Sequence, residues 1–309
     1  MRRILLLLLI LSLAIAPACT AESISFTDAL GERVELSGRP ERVAVLFSSF
    51  AEMWTLAGGE VAVTVGETIE RGFAPADAAL VDDGAGKSIN LELLISLKPD
   101  FVICSADIEA QAEASGILRQ AGIPVACFQV DSFSDYLDVF GQMCAVTGDD
   151  AAYASYGAGV ADKVDALLAS PGATAAAGTR ILFVRAGSTA SSTKAKTSAD
   201  HFVCEMLAEL GCENIADASN QLSDNLNMEY ILTEDPDVIF FSLMGDADAA
   251  LANVNDLLSQ PAWQQLRAVR EGNVHILPKD LFHFKPNARW AEAYAYLIDA
   301  LNGAQGDAA

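Results

Sequence analysis

Five basic residues stand where an open α/β sheet keeps its chemistry, just past the carboxyl ends of apolar runs. Arg185, Lys194 and Lys196 follow RILFV at 180–184, and Lys285 and Arg289 follow NVHIL at 273–277. They are five of the nine Lys and Arg residues found from Arg180 onward. The chain as a whole carries a formal charge of −23, and −25 once Arg2 and Arg3 are set aside, with 17 basic residues against 42 acidic ones. A basic cluster on that background points to an anionic ligand, held by charge-assisted hydrogen bonds in a partly desolvated cleft. Lys194 and Lys196 can equally be solvated loop lysines, and Arg289 can instead cap the last helix or pack on Trp290. His283, in the same segment, offers an imidazole either to a haem iron or corrinoid cobalt or to a simple hydrogen bond. In the first half of the chain the matching positions are Ser48, Ser49 and Phe50 after RVAVLF, with Arg71 and Lys87 in the following loops. Phe50 and Phe282 can stack on a flat ligand or belong to the core.

Other chemistries find no residues to carry them. There is no nucleophile–base pair, no HExxH, no GxSxG and no phosphate loop, so no catalytic residue is expected. Three histidines, His201, His275 and His283, are too few for a bare zinc or manganese site, and neither a bound metal nor a resident cofactor is expected. The acidic balance argues against nucleic acid as a partner. Besides Cys19 there are five cysteines without CxxC spacing. They read as buried thiols, with at most one disulfide, involving Cys204 or Cys212.

The elements that position these residues are announced by a repeat. NLELLISLKPDFVICS at 90–105 returns as NMEYILTEDPDVIFFS at 227–242, a constant 137 positions later. In each copy an Asn can cap a helix, Glu92 or Glu229 sits in its first turn, and Pro99 or Pro236 ends it. The apolar run that follows suits a strand buried on both faces of a parallel sheet. Two similar α/β halves are therefore expected.

Residues 1–18 read as an export signal, with Arg2 and Arg3, a short apolar core and small residues at the end. Cys19 is a candidate lipidation site that would tie the chain to a membrane surface; plain secretion is the alternative. Residues 19–40 form a lead and a β-hairpin turning at Gly31, and 41–148 a first α/β lobe. Residues 149–171 read as one bridging helix of about 33 Å, weakened by Gly157 and Gly159. Residues 173–179 read as a linker and 178–302 as a second α/β lobe. Ser49 followed by Glu52 reads as a capping box. The fold class is thus α/β, with two Rossmann-like lobes on parallel sheets, one long connecting helix and a ligand cleft between the lobes.

DALGERVELSGRPERVAVL, NLELLISLKPDFVI, FVCEMLAELGCENIAD, NMEYILTEDPDVIFF and PAWQQLRAVREGNVHILP together resemble the solute-binding proteins of ABC importers for ferric siderophores, haem and cobalamin. The resemblance runs over nearly the whole chain after the signal. It implies an extracytoplasmic, monomeric, non-enzymatic receptor that hands a small metal chelate to an ABC permease. It also implies that exposed Glu92 and Glu229 meet basic residues of that permease; the plainer role of each is to complement its helix dipole. A ferric siderophore is the leading ligand, then haem or a corrinoid. A small oxyanion such as molybdate and a chelatase-like enzyme on the same fold are the alternatives, and an adhesin or signalling receptor has no motif of its own.

Overall fold

Each repeat folds as its spacing demands. The Asn90 side chain accepts from the Leu93 backbone N–H at 3.0 Å, and Asn227 accepts from that of Tyr230 at 3.3 Å. The capped helices, Leu91–Ser96 and Met228–Glu234, end just before Lys98 (φ 49°) and Asp235 (φ 39°), which are themselves 137 positions apart. A following proline bars the ordinary helical conformation at the preceding residue, so the left-handed turn stops the helix there. The chain then enters the strands Phe101–Ser105 and Val238–Leu243.

The computed structural model describes residues 23–82, 88–222 and 225–306, apart from the side chains of 304–306; the export signal, Cys19 and Lys87 lie outside these residues. β1 (Ile24–Thr27) and β2 (Arg33–Leu36) form the antiparallel hairpin, with Gly31 at φ 79° in its turn. The first sheet comprises β3 (Val43–Val45), β4 (Val63–Thr64), β5 (Ala79–Leu80), β6 (Phe101–Ser105) and β7 (Val125–Phe128). It runs β5-β4-β3-β6-β7, all parallel. The second comprises β8 (Arg180–Ala186), β9 (Lys194–Ala195), β10 (Glu213–Asn214), β11 (Val238–Leu243) and β12 (Val274–Leu277). It runs β10-β8-β11-β12 in parallel, with β9 antiparallel on β8. Strand order reverses between β3 and β6 and again between β8 and β11, and open α/β sheets hold ligands beyond the carboxyl ends at such reversals.

The bridging helix is interrupted where one unbroken helix was expected. Asp150–Ala152 and Gly159–Leu168 are α-helical, but Tyr153–Ala158 is a π-helical stretch. Gly157 permits it, since a Cβ there would stand 2.8 Å from the Tyr153 ring. The Tyr136 hydroxyl donates to the Tyr156 carbonyl at 2.8 Å, satisfying an acceptor within the wider turn. The expected linker is partly helical as well. Ser170 caps Pro171–Ala176, where proline at the first turn and an alanine-rich run favour helix.

One apolar cluster joins the sheets to the connecting helix. It takes Val43, Trp54 and Phe101 from the first half, Val160 and Val164 from the bridge, and Phe183, Trp290 and Tyr294 from the second. Two further clusters lie on the other face of each sheet. All five described cysteines are free thiols, four of them buried and Cys212 half-buried, in line with the reading as thiols, and neither Cys204 nor Cys212 is in a disulfide. Cys204 is buried, with its sulfur on the Lys196 carbonyl, and Cys212 points to the Ala176 carbonyl.

Candidate functional site

The carboxyl end of β3 feeds the helix Ser48–Leu56, and this helix is not held by a capping box. Phe47 occupies its cap position without a side-chain bond, and Ser49 and Glu52 serve a different centre. Arg71 donates from Nη1 to Ser48 Oγ at 2.8 Å and Ser49 Oγ at 3.4 Å, and from Nη2 to Glu52 Oε2 at 3.2 Å. The Ser48 hydroxyl in turn donates to Glu67. Asn287, reached after β12, donates its amide to the same Glu52 oxygen at 2.9 Å and to the Ser49 carbonyl at 3.0 Å. Burial raises the Glu52 pKa, and hydrogen bonding by Asn287 and the charges of Arg71 and Arg289 oppose that rise. Arg71 also lies between two aromatic rings, 4.8 Å from the centroid of Phe73 and 3.9 Å from that of Phe284. Arg71 is therefore an internally satisfied cation and not a free ligand group.

Six other expected ligand groups are engaged or inward-facing. Lys285 donates to the Val130 carbonyl after β7, stands 3.5 Å from Asp131 and lies over the Phe202 ring. Arg289 is more exposed and closes on Asp280, nine positions earlier, at 2.6 Å and on Glu292, three positions later, at 2.7 Å, so nearby carboxylates do what a ligand was expected to do. Phe50 and Phe282 are core residues at 1% and 0% exposure; Phe50 packs edge-on against Phe47 and Phe128 from the buried face of the helix Ser48–Leu56, which it shares with Met53 and Trp54. Ser48 and Ser49 are buried beneath Arg71. The β3–β6 reversal is filled by Gln111, which donates to the Leu46 carbonyl and accepts from the Ser105 N–H.

The second reversal is different. Arg185 is the penultimate residue of β8, half-buried and paired with Lys194 of β9. Among the described residues it has no carboxylate partner and no side-chain hydrogen bond, and desolvation lowers its pKa. It lies near two histidines. His283 has its pKa pushed down to about 4 by burial and by the charges of Arg185, Lys279 and Arg71. Its Nδ1 is buried and has no hydrogen-bond partner among the described residues. His201 caps the helix Phe202–Glu209, accepts from the Val203 N–H through Nδ1, stacks on Phe202 and lies tilted against Phe183. Burial first, then Arg185, Lys285 and Lys196, holds it neutral. Lys196 pairs with Asp200 at 3.3 Å. The structure thus gathers Arg71, Arg185, Lys196, Lys285 and His283 in one region, and within this group Arg185 has no carboxylate partner among the described residues. Sequence reasoning missed Glu52, Phe73, Phe284 and Asn287; only the Pro-Asn pair at 286–287 hinted at an unusual turn.

Glu92 and Glu229 are each the second residue of their capped helices and each exposed. Among the described residues no group of three or more His, Cys, Asp and Glu is placed to hold a metal, and no helix is long and apolar enough to cross a membrane. A groove of about 560 Å³ lined by Ser23, Glu35, Arg39 and Asp100 lies at the amino ends of β3 and β6, the face opposite the reversals.

A family model described as periplasmic binding protein matches residues 43–281. No curated protein matches the sequence. Among solved structures, the chain is similar to the siderophore binding protein BauB, bound to two acinetobactin molecules and ferric iron, at 15% identity and a TM-score of 0.72, covering 92% of this chain and 98% of that one. It is similar to SirA of Staphylococcus aureus complexed with staphyloferrin B, at 22% identity and a TM-score of 0.68, covering 91% and 98%. It is also similar to the periplasmic vitamin B12 binding protein BtuF of Vibrio cholerae, at 20% identity and a TM-score of 0.69, covering 87% and 99%. At these identities the likeness speaks to the fold.

Proposed function

Because the chain belongs to the periplasmic binding protein family, whose members bind substrates for ABC import and are not enzymes, we propose that it captures an anionic metal chelate between its lobes. A ferric siderophore is the first candidate and haem or a corrinoid the next. The observation that carries this reading is Arg185, a half-buried guanidinium at the strand-order reversal of the second sheet with no anionic partner among the described residues. A desolvated cation lacking a counter-ion is costly, and an anionic ligand would relieve that cost with charge-assisted bonds. His283, kept neutral with a buried unpartnered Nδ1 beside it, supplies a hydrogen-bonding or metal-ligating atom. The iron-chelate and corrinoid ligands named for the similar structures accord with this class.

Delivery to the permease rests on Glu92 and Glu229, whose identical settings on the two repeats suit two equivalent contacts. Attachment through a lipidated Cys19 would hold the receptor beside its importer. The test of the ligand class is a titration of the wild type and Arg185→Met with ferric citrate, a ferric tris-catecholate, haem, cyanocobalamin and molybdate, followed by tryptophan fluorescence. Arg185→Met is expected to weaken the preferred anionic chelate about 30- to 100-fold, roughly 2–3 kcal/mol. Unchanged affinity for that chelate overturns the role of Arg185, and binding of molybdate alone favours the oxyanion reading.

A further inference from the structure

The segment after β12 crosses to the first sheet at three places within four residues. Phe284 lies against Arg71, Lys285 reaches the Val130 carbonyl and Asp131, and Asn287 bonds the Ser49 carbonyl and Glu52. These partners flank the carboxyl ends of β3, β4 and β7, so one short strap touches three strand ends of the opposite lobe. Asn287 is fully buried and held at φ 50°, a left-handed conformation that Asn tolerates better than most residues but that still costs free energy. Its Oδ1 has no partner among the described residues, while both of its donor bonds face the first lobe. A left-handed residue that is fully buried where the two lobes meet points to a positioning role.

We propose that the strap 284–287 sets the separation of the two lobes, with Asn287 and Glu52 as the positioning residues that fix the cleft before ligand arrives. The inference rests on the ligand cleft described above. With Asn287 in place, Glu52 keeps two donors, Arg71 stays seated between Phe73 and Phe284, and the cation of Arg185 faces a cleft of fixed width. Without the Asn287 amide, Glu52 loses one of its two donors, the Ser49 carbonyl keeps only its helical bond, and the lobes lose their stop. The charged groups around Glu52 are Arg71, Arg289 and, through Ser48, Glu67.

The experiment measures the interlobe distance without ligand, by pulsed electron resonance between nitroxides on keto amino acids at exposed Glu109 and Ser191. The wild type is expected to give one narrow distribution. Asn287→Gly, which keeps the left-handed backbone and removes the amide, should broaden it roughly twofold. Asn287→Asp places a carboxylate against Glu52; the distribution should be broad at pH 8 and narrow at pH 5, where protonation of the pair restores a donor. A residue with a merely structural role would lower the melting temperature without making the width depend on pH. If Asn287→Gly does not fold, Lys285→Met removes another tie of the strap and is expected to broaden the distance likewise. Widths equal to the wild type in the folded variants at both pH values overturn the strap and leave the ligand assignment standing. A wild type that binds none of the chelates yet shows strap-dependent widths overturns the ligand assignment and supports the strap.

Discussion

The guanidinium carbon of Arg71 lies 3.9 Å from the centroid of the Phe284 ring, a contact made between residues more than two hundred positions apart. This stacking, together with the bonds to Ser48, Ser49 and Glu52, takes Arg71 out of the set of ligand cations. Phe284→Ala is expected to destabilise the protein by about 2–4 kcal/mol through lost packing and cation–π attraction. Arg71→Lys should cost about 1–2 kcal/mol, because an ammonium cannot donate as a planar fork. Urea denaturation of both variants checks the order, and a neutral Phe284→Ala would contradict it.

His283 gives a pH signature. Its folded pKa of about 4 lies below the ordinary histidine value, so between those values the unfolded chain binds the proton and the folded chain does not. Stability from this group is therefore present above the unfolded value and falls as pH drops toward 4, by up to about 3 kcal/mol. Histidine NMR should show the His283 ring unchanged from pH 7.5 to 5.5. Arg185→Met should raise its pKa, since the Arg185 charge is one of the groups pushing it down. A ring titrating near the ordinary value in the wild type would contradict the buried placement.

Gly157→Ala tests the π-helical stretch. The added Cβ would sit 2.8 Å from the Tyr153 ring, so the ring must leave its seat against Gly141 and Phe140. A loss of about 1–3 kcal/mol is expected. The opposite sign, the roughly 1 kcal/mol gain of an ordinary exposed helical Gly→Ala, would mean that the bridge is a regular α-helix there.

How much of this was legible in the sequence follows the range of the forces involved. The repeat, its Asn caps and its buried strands depend on neighbours within a few residues, and all were readable from spacing. Glu52 was misread as half of a capping box because its partners are 19 positions away at Arg71 and 235 away at Asn287. Lys285 looked like a free loop cation because its acceptor, Val130, is 155 positions distant. Arg289 was the opposite case: its carboxylates at Asp280 and Glu292 were close in sequence, but nothing in their spacing ranked a local pair above a ligand. Arg185 could be located from the strand end, while its lack of a counter-ion among the described residues could be seen only once the fold was built.

Glu92→Arg and Glu229→Arg reverse exposed charges on equivalent helix starts. Each change should also cost about 0.3–1 kcal/mol by opposing the helix dipole. Uptake of the transported chelate by whole cells should be abolished in the double variant, while the purified receptor keeps its affinity. Uptake at the wild-type rate, or affinity lost along with uptake, would remove these residues from permease docking.

The central claim is that the cleft carries an anionic metal chelate. It is tested most directly by exposing the purified receptor to an extract rich in natural chelates and identifying what stays bound, by absorbance and native mass spectrometry. The expected result is one negatively charged metal complex per chain, retained by the wild type and lost from Arg185→Met. Retention of only a neutral sugar or peptide, or equal retention by both proteins, would contradict the account.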